Sequence, residues 1–369
     1  MKKILVIATE QSGDNIGSTV LKELKKSFFN LKIDGVGGNL MRPYMRKQFF
    51  TLKDFKSIGI IEIFFSIPKY IKIINFLSKE VFKRKYDLIL TIDSPDFNYP
   101  LVKKVRKKGF KKNIFHVVAP TVWAWRKNRA KKFAKIYDHI FTLFPFENSY
   151  FEKFNLKSTC IGHPIYYIKN KSRKTYKKKY IAFLPGSRLG EINSLFKYFE
   201  IAYKTLLLSK NKYLIFIPTL PHLENEIIAR IKHWKINTFV TTDRKKIENY
   251  YSQTKLALVC SGTASLEITK REIPQLVIYK LNLLTEFIGN FFVKVKYANI
   301  INIFENRIII PELVNSNLNK NRFIMKLNIL LNDKKSNDKQ LKESKRVIKN
   351  ITMKKPPYKY VVENIKKII

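Results

Sequence analysis

Acidic side chains come directly after two apolar runs in the first half of the sequence, at the points where buried strands would end. Glu10 follows the first run, and Asp93 and Asp96 follow a run that ends at Ile92, with Pro95 fixing the turn between them. A carboxylate in such a turn can take a proton from a sugar hydroxyl. The alternative is an Asx turn with a helix N-cap, which fits Asp96 well and Asp93 less well.

Ser12 and Gly13 begin the amphipathic segment that follows Glu10. Glycine allows a ligand to approach the backbone closely, and the N-terminus of a helix offers N–H groups to an anion. The three-glycine spacing of a dinucleotide-binding fingerprint is absent. A plain helix capped by Ser12 is the alternative interpretation.

An aromatic and basic cluster follows a third candidate strand. Trp123 and Trp125, two of the three tryptophans in the chain, lie beside Arg126 and Arg129. Aromatic faces stack on sugar rings or bases, and guanidinium groups bind phosphate oxygens in pairs. The cluster therefore predicts a substrate-binding segment, with packing in the core as the alternative.

Two loops of glycine and hydroxyl residues follow strands in the second half. In the first, Arg188 comes after Pro185-Gly186-Ser187, where it can neutralise a diphosphate, and Glu191 lies three residues further on. In the second, Ser261-Gly262-Thr263 begins a helix, and Glu267 lies one turn in, where it can accept hydrogen bonds from ribose hydroxyls. Neither loop has the Gly-Lys-Ser/Thr ending of a Walker A motif. Together they indicate a site for a nucleoside diphosphate.

The elements that must position these loops are short strands that alternate with amphipathic helices. Such alternation predicts an α/β fold of parallel sheets covered on both faces, in which ligands bind beyond the carboxyl ends of the strands. The apolar runs that predict buried strands are Ile4–Ala8, Asp87–Ile92, Ile114–Val118, His139–Leu143, Ser158–Ile161, Tyr180–Leu184, Tyr213–Ile217, Thr238–Thr242, Leu256–Val259 and Gln275–Tyr279.

A chain of 369 residues suits two domains. The polar segment 169–179 predicts a linker between a first doubly wound domain, residues 1–168, and a second, residues 180–355. Two such domains would face a cleft. Near the end of the chain, the polar stretch Asn332–Lys355 is followed by two prolines and a short amphipathic segment. We expect this last helix, residues 356–369, to join the first domain.

The composition is strongly basic, with 72 Lys and Arg against 28 Asp and Glu and a formal net charge of +44. This balance favours a polyanionic partner, although the abundance of Lys, Ile and Asn is also typical of an AT-rich genome. The five histidines form no spaced pair with another His or a Cys, so no metal motif is visible. The two cysteines, in separate apolar runs, predict buried thiols. The first apolar run is too short for a signal peptide, and no run of about 18 apolar residues predicts a membrane span.

These motifs, in this order and at this spacing, resemble those of the bacterial lipid A disaccharide synthase family over roughly residues 1–315. Three positions differ from the family pattern: Thr9 replaces a glycine, Ile301 a proline and Asn306 a glycine. The matching strings are Ser12–Asp14, Gly59–Glu62, Ile92–Asn98, Pro120–Arg126, Phe144–Glu147, Ile161–Pro164, Leu184–Arg188 and Ser261–Glu267, of which Ile92–Asn98 and Pro120–Arg126 are the most specific.

The resemblance implies a GT-B fold and an inverting glycosyltransferase that needs no metal or other cofactor. Such an enzyme transfers 2,3-diacylglucosamine from UDP-2,3-diacylglucosamine to 2,3-diacylglucosamine 1-phosphate. The products are UDP and a β-1,6-linked lipid A disaccharide 1-phosphate. Basic side chains and helix N-termini would stabilise the leaving diphosphate in place of a metal ion.

The resemblance also implies roles for the candidate residues. Asp93 would be the general base on the acceptor 6-hydroxyl, with Glu10 and Asp96 as alternative or supporting carboxylates. On the donor side, the expected contacts are Arg188 and Ser261–Thr263 to the diphosphate, Glu267 to the ribose, and Asn302 and Glu312 along the donor sugar.

Both substrates of this family carry acyl chains, so the resemblance implies a cytoplasmic enzyme bound peripherally to the anionic surface of the inner membrane. Two aromatic and aliphatic runs with neighbouring lysines, Ile60–Ile74 and Phe287–Val293, are the candidate insertion elements. For the first run, a buried helix is the alternative.

Two other functions fit parts of the sequence. One is another GT-B enzyme that uses UDP-GlcNAc, either an epimerase or the lipid-linked GlcNAc transferase of peptidoglycan synthesis; the Trp-Ala-Trp-Arg string and the Asp93 turn argue against it. The other is a nucleic-acid-binding protein, which rests on the net charge alone, because the lysines are spread along the chain and no recognised motif is present. We therefore expect no nucleic-acid partner.

Overall fold

A computed structural model describes residues 1–55, 60–123, 128–167, 178–280 and 296–369, with side chains described throughout except at residues 60–66. The chain divides into two compact units, Met1–Tyr167 together with Ile351–Ile369, and Ile168–Asn350. The predicted linker, residues 169–179, falls largely on residues 168–177, outside the described residues, so it stays a prediction.

The N-terminal unit is built on a parallel sheet of seven strands in the order β3-β2-β1-β4-β5-β6-β7. The order reverses between β1 and β4, and loops at such a reversal diverge to leave room for a ligand. The strands are β1 (Lys3–Ala8), β2 (Lys32–Gly37), β3 (Lys47–Thr51), β4 (Leu88–Ile92), β5 (Asn113–Val117), β6 (His139–Thr142) and β7 (Lys157–Cys160).

Helices cover both faces of this sheet, which is why its central strands are almost entirely apolar and are buried at Ile4–Ala8 and Leu88–Ile92. The last helix of the chain, α13, packs against α1 and buries Val361, Val362 and Ile365 in the same core cluster as Leu21 and Leu24. The helices of this unit are α1 (Gln11–Ser27), α2 (Ile60–Arg84), α3 (Pro95–Lys107), α4 (Asn128–Ala134), α5 (Asn148–Glu152) and α13 (Pro357–Lys366).

The C-terminal unit contains a parallel sheet of six strands in the order β10-β9-β8-β11-β12-β13. Its order reverses between β8 and β11, so this unit repeats the topology of the first. The strands are β8 (Tyr180–Leu184), β9 (Leu214–Pro218), β10 (Thr238–Thr241), β11 (Thr254–Cys260), β12 (Gln275–Tyr279) and β13 (Glu312–Val314). The helices are α6 (Leu189–Leu207), α7 (Glu224–Ile231), α8 (Arg244–Ser252), α9 (Thr263–Lys270), α10 (Ile300–Glu305), α11 (Lys320–Asn332) and α12 (Lys334–Ile351).

Every apolar run that predicts a strand forms one, and three further strands lie outside those runs. In β2, Asp34 interrupts the apolar pattern, yet its side chain is buried because Arg46 binds both carboxylate oxygens, at 2.9 and 2.5 Å, and Tyr86 donates a hydrogen bond of 2.8 Å. β3 lies at an edge of its sheet, and β13 is an edge strand of three residues. Short or edge strands need little continuous apolar sequence.

The polar stretch near the end of the chain forms a helix over most of its length. α12 extends over Lys334–Ile351 and buries Val347 and Ile351, with Gln340 and Ser344 on the buried side as well. Only about one residue per turn faces the core, so the composition of the segment did not predict the helix.

Among the helices described, none is long and apolar enough to cross a bilayer.

Candidate functional site

The loops that follow β1 and β4 meet at the strand reversal of the N-terminal sheet. β1 and β4 are hydrogen-bonded neighbours, with Ala8 opposite Ile92 at their carboxyl ends. Ser12, in the first turn of α1, donates a hydrogen bond of 2.5 Å from Oγ to Oδ2 of Asp93. Two residues that are 81 positions apart in sequence are thus brought together where α/β sheets bind their ligands.

Asp93 lies in a strained turn that fixes its carboxylate. Asp93 and Ser94 have φ values of +56° and +44°, in the left-handed region that residues other than glycine, asparagine and aspartate seldom occupy. Oδ1 of Asp93 accepts the Ser94 N–H at 2.8 Å, and its carbonyl oxygen accepts Nδ2 of the buried Asn98 at 2.7 Å. Such strain persists only where the surroundings hold it, and it is commonly found at active sites.

Gly13 and Asp14 serve the packing of α1 in this structure. A Cβ atom at Gly13 would lie 3.1 Å from the Ile92 carbonyl oxygen, so glycine allows α1 to approach the end of β4. The buried Asp14 carboxylate accepts the N–H groups of Gly38, Leu40 and Met41, which fixes the loop after β2. The predicted contact of Gly13 with substrate stays a prediction.

The other two candidate carboxylates lie close to Asp93 in the sequence or the sheet. Glu10 is the N-cap residue of α1 and is exposed. Asp96, in the first turn of α3, is 76% exposed at its side chain and forms an ion pair with Arg129 of α4. Asp93 is therefore held by hydrogen bonds at the strand reversal, and Asp96 is paired with a cation.

Trp123 follows β5 and is anchored by a residue that sequence reasoning did not select. Its Nε1 donates a hydrogen bond of 2.9 Å to Oε1 of Glu147, which follows β6. Oε2 of Glu147 accepts the N–H groups of Leu143 and Phe144 at 2.9 and 3.0 Å. Burial raises the pKa of Glu147 to about 7. The predicted contacts of Trp125 and Arg126 lie outside the described residues.

In the C-terminal unit, the loop after β8 is a tight turn capped by Glu191. Gly186 has a φ of +120°, and a Cβ there would lie 2.6 Å from Oε2 of Glu191. That oxygen accepts the N–H groups of Ser187 and Arg188 at 2.8 and 3.2 Å. Glu191 thus shapes the loop, while the Arg188 side chain is 82% exposed, with its nearest ion-pair oxygen on Glu191 at 3.6 Å.

The loop after β11 comes next to it, because β8 and β11 are neighbours. Gly262, at φ +142°, is the N-cap residue of α9, and Thr263 begins the helix with its side chain exposed. Ser261 donates a hydrogen bond of 2.9 Å to the Ala298 carbonyl oxygen. The N-terminus of α9 and Arg188 therefore follow adjacent strands, an arrangement suited to an anion.

Glu267 is held by a buried arginine. Nη2 of Arg271 lies 2.9 Å from Oε1 of Glu267, and both terminal nitrogens of Arg271 bind Glu248, at 2.7 and 2.6 Å. The guanidinium also lies over the Tyr251 ring, 4.6 Å from its centre. The Glu267 carboxylate is fixed in direction before any ligand binds.

Asn302 and Glu312 organise the segments around β13. Asn302 is fully buried, and its Oδ1 accepts the N–H groups of Ile309 and Ile310 while its Nδ2 donates to the Ile310 carbonyl oxygen. Glu312 accepts the N–H groups of Ala298 and Asn299, and burial raises its pKa. These contacts give both residues an intramolecular role, and their contact with the donor stays a prediction.

Neighbouring polar residues complete this part of the unit. Asn299 donates to Ser265 at 2.5 Å, and Ser265 donates to Gln275 at 2.9 Å, all three being buried. The network ties the start of α9 to the segment before α10. Sequence reasoning missed it because single Ser, Asn and Gln residues form no recognisable pattern.

Within the described residues, no group of three His, Cys, Asp or Glu side chains is arranged to hold a metal ion.

Comparison with known proteins gives relatives of similar length. A family model described as lipid-A-disaccharide synthetase matches residues 4–363. The lipid-A-disaccharide synthase of Rickettsia canadensis is 37% identical, with 96% of this chain and 94% of the relative covered. That of Rickettsia typhi is 36% identical over 95% of this chain and 94% of the relative, and that of Rhodospirillum centenum is 28% identical over 92% and 88%.

Solved structures share the fold at low sequence identity. MurG of Acinetobacter baumannii has a TM-score of 0.62 at 12% identity, with all of both chains covered. The UDP-GlcNAc 2-epimerase of Neisseria meningitidis, solved with UDP-GlcNAc, has a TM-score of 0.63 at 13% identity, again with full coverage of both chains. The predicted GT-B fold of two Rossmann-like units is confirmed.

Proposed function

The chain belongs to the lipid-A-disaccharide synthetase family, and we propose that it joins UDP-2,3-diacylglucosamine to 2,3-diacylglucosamine 1-phosphate. The products are lipid A disaccharide 1-phosphate and UDP. The single observation that carries this proposal is the family match, which extends over residues 4–363 and so includes both units. The UDP-sugar donor and the lipid-linked sugar acceptor follow from the family, and the diacylated form of each is part of the proposal.

The N-terminal unit activates the acceptor in this proposal. Asp93 takes the proton from the 6-hydroxyl, and the oxygen attacks the anomeric carbon of the donor from the side opposite the diphosphate. The bond from that carbon to the phosphate oxygen breaks, and the configuration inverts. Ser12 supports this role, because its hydrogen bond holds Oδ2 of Asp93 in one direction. Trp123 offers an aromatic face for the sugar ring.

The C-terminal unit binds the UDP part of the donor. Arg188 and the N-terminus of α9 stabilise the negative charge that develops on the leaving diphosphate. The exposure of the Arg188 guanidinium supports this assignment, as does the position of Arg188 after β8, the strand that pairs with β11, which precedes α9. Glu267 accepts hydrogen bonds from the ribose hydroxyls, and Arg271 holds its carboxylate in place.

The acyl chains of both substrates require contact with a bilayer, so we include peripheral binding to an anionic membrane surface. The described part of α2 supports it: Ile67 and Ile71, one turn apart, are 45% and 51% exposed, and lysines accompany them. The side chains of residues 60–66 and the run Phe287–Val293 lie outside the description, so their part stays a prediction.

The assay that tests the function supplies the protein with UDP-2,3-diacylglucosamine and 2,3-diacylglucosamine 1-phosphate in mixed micelles. We expect a disaccharide monophosphate and an equal amount of UDP. UDP-GlcNAc as the sole sugar nucleotide, with no acceptor, serves as the control for an epimerase. Conversion of that control to its epimer, with no disaccharide from the acylated pair, would refute the proposal.

A further inference from the structure

Glu147 is a buried carboxylate for which the proposed reaction has no use. It lies just after β6, in a short helical turn, and its side chain is enclosed on all sides. Burial of a charge is unfavourable, and the pKa of Glu147, raised to about 7 by burial, reflects this. The buried charge of Glu147 is unfavourable for folding, yet both carboxylate oxygens are hydrogen-bonded. The partners of these two oxygens therefore indicate what the residue does.

Its two carboxylate oxygens have different partners. Oε2 accepts two backbone N–H groups, those of Leu143 and Phe144, which begin the turn. Oε1 accepts the indole N–H of Trp123 at 2.9 Å. A glutamine could satisfy the turn with its single oxygen, but its NH₂ group would then face the indole N–H, donor against donor. The second oxygen of the carboxylate is therefore needed for Trp123 alone.

Trp123 has the position of a residue that meets a ligand. It is partly exposed, and it follows β5, the strand next to β4, which ends just before Asp93. Its ring meets Phe146 edge to face, with centres 5.6 Å apart, so Phe146 and Glu147 hold two sides of the same indole. An indole has one N–H group, and anchoring it fixes the rotation of the whole ring.

We propose that Glu147 is a positioning residue for the acceptor, which sets the orientation of the Trp123 indole so that its face receives the acceptor sugar. The inference deepens the proposed function and rests on it. Only a carboxylate fits the position, because it must accept from the backbone with one oxygen and from the indole with the other.

The test compares full-length protein with Glu147→Gln, Trp123→Phe and the double variant, and uses Glu152→Gln as a matched control. Glu152 is an exposed glutamate in the adjacent helix α5, whose carboxylate bonds Ser158 and no residue of this cluster. We expect Glu147→Gln to raise the KM for 2,3-diacylglucosamine 1-phosphate about tenfold or more, as loss of a hydrogen bond to a charged group does. UDP affinity in calorimetry should stay unchanged.

The double variant separates positioning from a general loss of stability. If Glu147 acts through Trp123, the double variant should be no worse in kcat/KM than Trp123→Phe alone. Losses that multiply would overturn the inference. So would a Glu147→Gln protein that has a lower melting temperature but wild-type kinetics, because that is the result of a purely structural role.

A spectroscopic measurement keeps the inference independent of the assay. The contribution of Trp123 to the fluorescence is the difference between a protein with Trp123 and its Trp123→Phe counterpart. We expect Glu147→Gln to change this difference spectrum and Glu152→Gln to leave it as in the wild type. A wild type that makes no disaccharide refutes the proposed function, whereas an unchanged difference spectrum in Glu147→Gln refutes the positioning role.

Discussion

At the scale of single residues, Asp93 combines a reactive side chain with a constrained backbone. The carboxylate accepts hydrogen bonds at both oxygens, from Ser12 and from the Ser94 N–H. Its direction is therefore set before substrate arrives, and little reorganisation remains for the chemical step. Asparagine has the same shape, keeps one acceptor oxygen and cannot take a proton at neutral pH.

We expect Asp93→Asn to lower turnover by about 10²-fold or more, the usual effect of losing a general base. UDP affinity and melting temperature should change little, since the proposed nucleotide contacts are in the C-terminal unit. Steady-state kinetics beside calorimetry measures both. Near-normal turnover would transfer the role to Glu10 or Asp96, and Glu10→Gln and Asp96→Asn would then be compared.

Arg188 provides a second prediction at this scale. Arg188→Ala should weaken UDP binding by roughly 1.5–3 kcal/mol, the range for a hydrogen bond to a charged group. Arg230→Ala is the control, because Arg230 of α7 pairs with Glu226 and Asn193 on the surface of the same unit. Equal UDP affinity in calorimetry for wild type and Arg188→Ala would exclude Arg188 from the site.

Individual candidate residues could be selected from the sequence by type, but the sequence did not show what their side chains contact. Asp93 and Trp123 could be selected because unusual residues follow predicted strands. Gly13 was selected for the same reason and Asn302 through the family resemblance, yet their contacts are with the end of β4 and with Ile309 and Ile310. Glu147 lies in a string that matches the family but received no role, because its partner Trp123 is 24 residues away and only the pairing of β5 with β6 brings the two together.

At the scale of elements, α2 has two faces of opposite character. Ile73 and Leu77 are buried in the core of the N-terminal unit, whereas Ile67 and Ile71 are exposed. The sequence allowed either a membrane-insertion segment or a buried helix, and the described part of α2 contains residues of both kinds. A continuous apolar run does not show which of its side chains are buried, since the packing of the helix determines which side faces the core.

We expect Ile67→Ser with Ile71→Ser to reduce sedimentation with anionic vesicles and to leave the melting temperature nearly unchanged. Exposed side chains contribute little to folding, but each adds apolar area, at about 25 cal/mol per Å², when it enters the interface. Ile73→Ser is the control and should destabilise the fold strongly. A large fall in melting temperature for the double variant, or undiminished vesicle binding, would contradict a role of this face in membrane binding.

Predicted strand boundaries lie within about two residues of the observed ones, because buried parallel strands are apolar along nearly their whole length. Tyr180–Leu184 and Gln275–Tyr279 coincide with β8 and β12. β2 was missed because the ion pair and hydrogen bond that allow Asp34 to be buried involve Arg46 and Tyr86, which are distant in sequence. No local pattern predicts that compensation.

At the scale of the whole molecule, stability depends on pH through two histidines, His116, which is buried, and His163, which is partly buried. Burial lowers the pKa of His116 to about 3 and that of His163 to about 4. Both stay neutral in the folded protein, while the unfolded chain takes up protons below about pH 6.5. Unfolding therefore binds protons in this range, and stability is full above about pH 6.5 and falls towards about pH 4. Glu147 has the opposite effect on stability, because its pKa in the folded protein is raised to about 7. The folded protein holds this proton more tightly than the unfolded chain does, so the contribution of Glu147 to stability increases as the pH falls.

We expect the free energy of unfolding to fall from pH 7 to pH 5, by up to about 1.4 kcal/mol per pH unit for each of the two histidines. Glu147→Gln should make the fall steeper, since it removes the opposing contribution of the carboxyl group. Urea unfolding at several pH values measures both slopes. A wild-type stability that is constant from pH 7 to pH 5, or equal slopes in the two proteins, would show that these groups do not titrate as described.

The backbone of the turn after β4 bears on attempts to make the protein more heat-resistant by laboratory evolution. Asp93 and Ser94 have positive φ angles, which glycine adopts with less strain. Val118, just after β5, also has a positive φ angle. If variants were selected only for survival of heating, glycine would therefore be favoured at these three positions. One of them is position 93, which carries the proposed base. Glycine at position 93 would remove the proposed base, so each round of selection for heat resistance needs a parallel selection for turnover.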